Sequence, residues 1–118
     1  MSEINSARDA DIRTQLQSIA AALRQVDHIN QDGRQRLADL VEELSAAIVA
    51  VPNTSTEAIH LTDTAARLAR AIQENDEAGV LETARRRLQK LIVSAKTDAP
   101  VLTGIAERLV RALSDIGI

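Results

Sequence analysis

The sequence predicts an all-α protein: an antiparallel helical bundle of about five helices that begins with a helical hairpin. Aliphatic residues recur at alternating spacings of three and four along most of the chain, which is the period of a helix face that packs against a partner. Proline, glycine and capping residues interrupt these stripes at intervals typical of ordinary helices. No segment alternates apolar and polar residues as a half-buried strand would.

The first predicted helix spans about residues 7–28. Its apolar stripe has heptad spacing and is accompanied by consecutive alanines, which favour helix. The stripe consists of Ile12, Leu16, Ile19, Leu23 and Val26. His28 is expected at the C-terminal end of this helix, where the helix dipole favours a protonated imidazole.

The second predicted helix spans about residues 31–50 and begins after Asn30, a good N-cap residue. Gly33 then falls inside the first turn, where it lowers helix stability slightly. The stripe of this helix consists of Leu37, Val41, Leu44, Ile48 and Val51. Because the two helices are similar in length and the link is short, an antiparallel hairpin over residues 7–50 is expected.

A third helix is predicted to begin near residue 55. Pro52 disfavours helix at the residue before it, and Thr54 followed by Glu57 matches a capping box. The stripe of this helix is rich in alanine, so that a partner backbone can approach closely. It consists of Ala58, Leu61, Ala65, Leu68 and Ile72.

Residues 74–79 are predicted to break the helix, with Asp76 as the cap of the next one. The apolar stripe moves to another side of the helical wheel across this segment, so a straight helix would need two different partners. One continuous helix is the alternative, and it would produce an extended, intertwined assembly. The fourth helix is predicted over residues 77–96, with a stripe of Leu81, Ala84, Leu88, Leu91 and Ala95.

The fifth helix is predicted to be capped by Thr97 or Asp98 and to carry Pro100 in its first turn. Gly117 is its expected C-cap. The stripe of this helix consists of Leu102, Ile105, Ala106, Leu109, Leu113 and Ile116.

The 118 residues are enough for one domain, 1–118, in which C-terminal helices over residues 55–117 follow the hairpin. The N-terminus has no basic region followed by an apolar run, as a signal peptide would. The longest apolar run, residues 46–51, is far shorter than the roughly 20 residues of a membrane span. We therefore expect a cytoplasmic protein without a transmembrane segment.

The composition excludes several classes of function. With no Phe, Trp or Tyr, the chain has no ring to stack on a base, no aromatic cage for a cation and no aromatic interface anchor. With no Cys, it has no disulfide, thiol nucleophile or zinc–thiolate site. A net charge of −3 and a pI of about 5.3 argue against a dedicated nucleic-acid binder.

No pattern of catalytic or metal-binding residues is recognisable in the sequence. His28 and His60 have no His or Glu partner at the spacing of a helical metal site. Residues 75–79 do not fit the pattern of a calcium loop. The sequence also lacks a Gly-rich phosphate loop and a G-x-S-x-G motif. We therefore expect no enzyme activity, no cofactor and no metal.

Arg85, Arg86, Arg87 and Lys90 form the basic cluster of the sequence. Three consecutive residues of a helix fan over about 200°, and Arg86 can pair with Glu82 four residues earlier. This arrangement favours charges that flank a helix pair over a nucleic-acid-binding face.

The heptad-like stripes predict a non-enzymatic, self-associating interaction or structural protein, most simply a dimer. The expected contact seam consists of Leu81, Leu88, Leu91, Leu102, Leu109 and Leu113. The alternative is a regulatory module that binds a partner helix, an anionic ligand or nucleic acid through the face from Arg85 to Lys90. Amphipathic helices can also bind a membrane surface, but the absence of Trp and Phe argues against that function.

The C-terminal segment resembles a known bacterial family. The residues Ala99–Leu102 and the tail Leu113–Ile118 are similar to the short uncharacterised helical proteins called domain of unknown function family 4404. Members of that family tend to begin with a leucine-rich helical hairpin and to end with a proline-initiated helix that closes on a Leu-x-x-(Ile/Met/Leu)-Gly-Ile tail. The resemblance implies a helical fold that can self-associate, and it carries over no activity and no functional residues.

Overall fold

Five α-helices account for most of the computed structural model, which describes residues 2–50, 56–75 and 77–117. Side chains are described for residues 12–48 and for the same two later ranges. The helices are α1 (Ser2–Leu23), α2 (Gln31–Ala50), α3 (Thr56–Gln73), α4 (Ala78–Ala95) and α5 (Pro100–Ile116). No strand occurs within the described ranges, and the predicted all-α bundle is confirmed.

α3 is the central helix, because it contacts each of the other four. α1 contacts α2 and α3, while α4 contacts α3 and α5, so α1 and α4 are the edge helices of the described structure. α1 and α2 pack along each other and form the predicted hairpin. Small side chains on α3 let its neighbours approach closely; the buried ones are Ala58, Ala65, Ala66, Ala69 and Ala71.

The core is built from the predicted aliphatic stripes. Its largest fully buried side chains come from all five helices: Leu16, Leu23, Leu37, Leu44, Ile48, Leu61, Leu68, Ile72, Leu88, Leu102, Leu109 and Leu113. Burial of one such side chain contributes about 1.5–3 kcal/mol, so the stripes are the main source of stability. Val51 and the predicted cap Thr54 lie outside the described residues.

α1 ends at Leu23, and the prediction that it continues to residue 28 is wrong. Val26 and Ile29 extend the apolar pattern, but they lie in the connection to α2 and are buried in the core. The Arg34 guanidinium donates a hydrogen bond of 2.7 Å to the carbonyl oxygen of Val26. Burial and this hydrogen bond hold the connection in a non-helical path.

The sequence predicts His28 at the C-terminal end of a helix, but His28 lies in the connection between α1 and α2. Its Nε2 donates a hydrogen bond of 2.8 Å to the carbonyl oxygen of Ile72 in the last turn of α3. His28 therefore binds a carbonyl at the C-terminal end of α3, which also accepts a hydrogen bond of 3.1 Å from the Asn75 N–H. The predicted cap of α2 is confirmed, because Asn30 Oδ1 accepts a hydrogen bond of 2.7 Å from the Gly33 N–H.

Gly33 is explained by close packing around the first turn of α2. A Cβ at this position would lie 3.0 Å from Asn30 Oδ1, 3.0 Å from Ile29 Cγ2 and 3.1 Å from Ile116 Cδ1. The small loss of helix stability at glycine is offset because the connection and the end of α5 both pack against this turn.

The predicted break after α3 is confirmed, and the alternative of one continuous helix is wrong. Asn75 adopts a positive φ of 56°, which asparagine tolerates better than most residues. The N-cap position of α4 is held by Glu77, so α4 begins at Ala78 rather than at residue 77. Asp76, the predicted cap, lies outside the described residues.

α5 begins at Pro100, and its N-cap is Ala99. The prediction that Thr97 or Asp98 caps this helix is therefore wrong. A residue before proline is disfavoured in the helical region, and Ala99 has φ −140° and ψ 67°. The Ala99 side chain is buried in the core, so packing decides where this helix starts. The predicted C-cap is confirmed, because Gly117 has a φ of 90°.

Candidate functional site

Among the side chains that the structure describes, those of α4 are the least covered. Its buried residues are Leu88, Ile92 and Ala95, which all lie in its second half. The innermost positions of its first half, residues 78–87, are only half-buried; they are Leu81, Ala84 and Arg85. Within the described ranges, α4 packs against α3 and α5, and an opening borders its first half on each of two sides.

The opening toward α5, which we name the α4–α5 cleft, has a volume of about 500 Å³. Leu68 and Leu113 form its buried floor, and Leu81 lies on its α4 side. Arg85 and Glu82 also line the cleft and form an ion pair with each other. The positive charge of Arg85 is therefore already balanced within its own helix.

The opening toward the outer side of α3, which we name the α3–α4 groove, has a volume of about 590 Å³. Its apolar surface comes from Ala71, Val80 and Ala84, and the Val80 side chain is 50% exposed. Gly79 adds open space, because no atom beyond its chain neighbours and the backbone of its own helix lies within 4 Å of the position that its Cβ would take. The groove is therefore shallow, with an apolar floor that solvent reaches.

The charged residues of the α3–α4 groove are sorted along its length. Glu74 and Glu77 lie at the turn that joins the two helices, whereas Arg67 and Arg87 lie farther from that turn. Arg67 is paired with Asp63 at 3.2 Å, and Arg87 has no ion-pair partner in the described ranges. Arg70 lies between these two groups. The groove is therefore acidic at its turn end and basic at its far end.

The predicted basic cluster is spread over several sides of α4. Arg85 lines the α4–α5 cleft, and Arg87 lines the α3–α4 groove. Arg86 is exposed with its Nη2 3.7 Å from Glu82 Oε1, which confirms the predicted pair. Lys90 is exposed on the outer side. Neither Arg87 nor Lys90 has an ion-pair partner in the part of the chain that the structure describes.

The leucines of the predicted contact seam lie mostly inside the chain's own core. Four of them are fully buried there: Leu88, Leu102, Leu109 and Leu113. Leu81 and Leu91 are half-buried and pack against the core from its edge. A second chain can reach these two leucines without unfolding the first. Leu113 forms the buried floor of the α4–α5 cleft, and the other three are enclosed in the core.

Sequence reasoning missed Val80 as a candidate contact residue. It is one of the exposed large hydrophobic side chains of the described structure, with Val93 and Val101, and it lies in the α3–α4 groove. Val80 lies four residues before Ala84, a member of the predicted α4 stripe. This spacing is the signal in the sequence that could have identified Val80 as part of an apolar helix face.

The histidines lie away from both openings, His28 in the α1–α2 connection and His60 exposed on α3. Within the described ranges, no three or more His, Cys, Asp or Glu residues are grouped as a metal ion would require. None of the helices in those ranges combines the length and the apolar character that crossing a membrane requires.

No known family model matches the chain, and neither does any curated protein or solved structure. The resemblance to family 4404 stays a prediction. Any function therefore has to be inferred from the surface of this chain itself.

Proposed function

We propose that this protein is a non-enzymatic helical interaction protein that associates with itself, most simply as a dimer, through the first half of α4. The observation that supports the proposal is the incomplete cover of that half-helix. Its apolar side chains are half-buried or exposed, whereas the apolar stripes of the other helices are mostly buried. A second helix that covers such a face gains about 25 cal/mol for each Å² of apolar surface removed from water.

The α3–α4 groove has the chemistry of a helix-binding surface. Gly79, Ala71 and Ala84 keep its floor low, so that a partner backbone can approach. Charged residues border this apolar floor on both helices. In helix pairs, flanking charges of this kind select the partner and its orientation.

The non-enzymatic part of the proposal is supported by the side chains that line the two openings. They are mainly arginines, glutamates and small or aliphatic residues. The hydroxyl of Thr83 donates a hydrogen bond of 2.9 Å to the carbonyl oxygen of Gly79, so it is bound to its own helix and not to a base. The cytoplasmic setting expected from the sequence stays a prediction.

A second candidate function is the binding of an anionic ligand or an acidic partner helix at the basic end of the groove. Arg87 in the groove and Lys90, which follows it on α4 outside the groove lining, favour this function. Both are exposed and lack ion-pair partners in the described ranges. Glu74 and Glu77 would repel a uniformly negative partner, such as nucleic acid, at the other end of the same groove. Self-association is therefore the function that the charges support better.

Sedimentation velocity of the wild-type protein from micromolar to millimolar concentration tests the proposal. We expect a reversible monomer–dimer equilibrium, which Val80→Glu abolishes because it places a charge on the apolar floor. Val93→Glu is the matched control, since Val93 is 77% exposed on the same helix outside the groove, and it should dimerise like the wild type. A wild-type protein that stays monomeric across the whole range would contradict the proposed function.

A further inference from the structure

The outer flank of α4 carries a stripe that changes charge along its length. Glu77, Val80, Ala84 and Arg87 follow one another at spacings of three, four and three, so they share one side of the helix. Glu74 precedes this stripe in the turn, and Lys90 follows Arg87 on the outer side of the helix. The stripe therefore runs from acidic, through an apolar middle, to basic.

When two copies of this stripe lie side by side in opposite directions, the acidic end of each faces the basic end of the other. In a two-fold symmetric contact, each residue meets a residue of the partner and is met by it in return. A two-fold axis at the level of residue 82 lies midway between Val80 and Ala84. The same level lies midway between Glu77 and Arg87.

We infer that the α3–α4 groove binds α4 of a second copy of this chain in antiparallel orientation. Glu77 and Glu74 of one copy then face Arg87 and Lys90 of the other, and each contact occurs twice. Val80 of each copy packs against the partner's Ala84. The inference rests on the proposed self-association and adds to it the identity of the partner surface and its direction.

The charges of the groove exclude the opposite orientation. In a parallel contact of the same two helices, Glu77 would face the partner's Glu77 and Arg87 the partner's Arg87, and like charges at close range are destabilising. Arg67 on α3 also lines the groove, but Asp63 balances its charge at 3.2 Å, so the basic end is supplied by α4 itself. A second copy supplies both signs of charge in the required order.

Charge reversal at the two ends of the stripe tests the inference. One variant carries Glu74→Lys with Glu77→Lys, a second carries Arg87→Glu with Lys90→Glu, and a third carries all four changes. Each double variant should weaken self-association by about tenfold or more at low salt, because every opposite-charge contact becomes a like-charge contact. The fourfold variant restores opposite charges at both ends and should dimerise within about threefold of the wild type.

Mixing the two double variants gives a second readout. One is basic along the whole stripe and the other acidic, so the mixture should form a heterodimer more tightly than either forms a homodimer. Arg111→Glu is the control for net charge, because Arg111 is exposed on α5 outside the groove, and it should leave the equilibrium unchanged. Circular dichroism of each variant verifies that the helices are intact.

The outcomes separate this inference from the proposed function. A dimeric wild type whose fourfold variant stays as weak as the double variants would overturn the antiparallel contact and leave self-association standing. Heterodimers no tighter than the homodimers would overturn it equally. A monomeric wild type would overturn both.

Discussion

The two edge helices, α1 and α4, occupy comparable positions in the bundle but are covered very differently. Each contacts two other helices in the described structure. The described part of α1 buries a complete stripe of Ile12, Leu16, Ile19, Ala20 and Leu23. α4 buries residues only in its second half. An edge position alone therefore does not leave a helix face open. The first half of α4 lacks the buried apolar stripe that the described part of α1 has.

The ion pairs near the two edge helices differ in the same way. Arg24, just after α1, reaches across to α2 and pairs with Asp39 at 3.0 Å and with Glu42 at 2.7 Å. Glu82 of α4 pairs with Arg85 and Arg86 of its own helix. In the described ranges, α1 is thus tied to its neighbour, whereas the ion pairs in the first half of α4 stay within that helix and Arg87 has no ion-pair partner. The flanks of this half-helix are therefore available to another chain.

The largest expected effect compares leucines on the two helices. Leu16→Ala should lower the free energy of unfolding by about 2–5 kcal/mol, as is usual for deletion of a buried leucine. Leu81→Ala should cost clearly less, because Leu81 is only half-buried. Urea unfolding of both variants, at a concentration where the protein is monomeric, measures the difference. Equal losses would show that the first half of α4 is as firmly packed as α1.

Two glycines give the next largest effect. Gly33→Ala should lower the free energy of unfolding by about 1–3 kcal/mol, since the new methyl group would crowd the side chains of Ile29, Asn30 and Ile116. Gly79→Ala in α4 meets no atom within 4 Å and should raise it by up to about 1 kcal/mol, the gain in helix propensity. Thermal unfolding of the monomer measures both; a stabilising Gly33→Ala would contradict the tight packing described for that turn.

The smallest expected effect concerns the ion pairs of Arg24. The hydrogen bond from Arg24 lowers the pKa of Glu42 below its ordinary value of 4.5. The folded pKa is thus below the unfolded one, so this contribution is present above about pH 4.5 and is lost as the pH falls through the folded pKa.

Glu42→Gln should therefore destabilise the protein by a few tenths of a kcal/mol at pH 7, and by less at pH 3. Urea unfolding at the two pH values measures this change, with Asp98→Asn as a control, because Asp98 is exposed and forms no ion pair within the described ranges. A loss that is the same at both pH values would show that charge on Glu42 does not tie α1 to α2.

The fold was largely predictable because aliphatic periodicity reports directly which helix faces are covered. The errors arose where packing overrides local signals. Val26 continues the heptad stripe of α1, yet it is buried from a non-helical connection. Ala99 caps α5 although it has no capping side chain, because the proline after it and the core beneath it determine its conformation.

The candidate site was predictable only in part, for a different physical reason. A heptad stripe shows that a residue faces a partner helix, but not whether that helix belongs to the same chain. Leu88 and Leu109 therefore looked like contact residues, although both lie in the chain's own core. The spacing of Val80 and Ala84 places Val80 on an apolar side of α4, but its exposure in the α3–α4 groove is visible only once α3 and α4 are placed together.

Hydrogen exchange of the wild-type protein at low and high concentration tests the central claim most directly, because it compares the two edge helices in one sample. The account predicts that amide protection over residues 78–87 of α4 rises with protein concentration, while protection over residues 12–23 of α1 stays constant. Protection of α4 that does not depend on concentration, or a rise confined to α1, would contradict the claim that copies of this chain meet at the first half of α4.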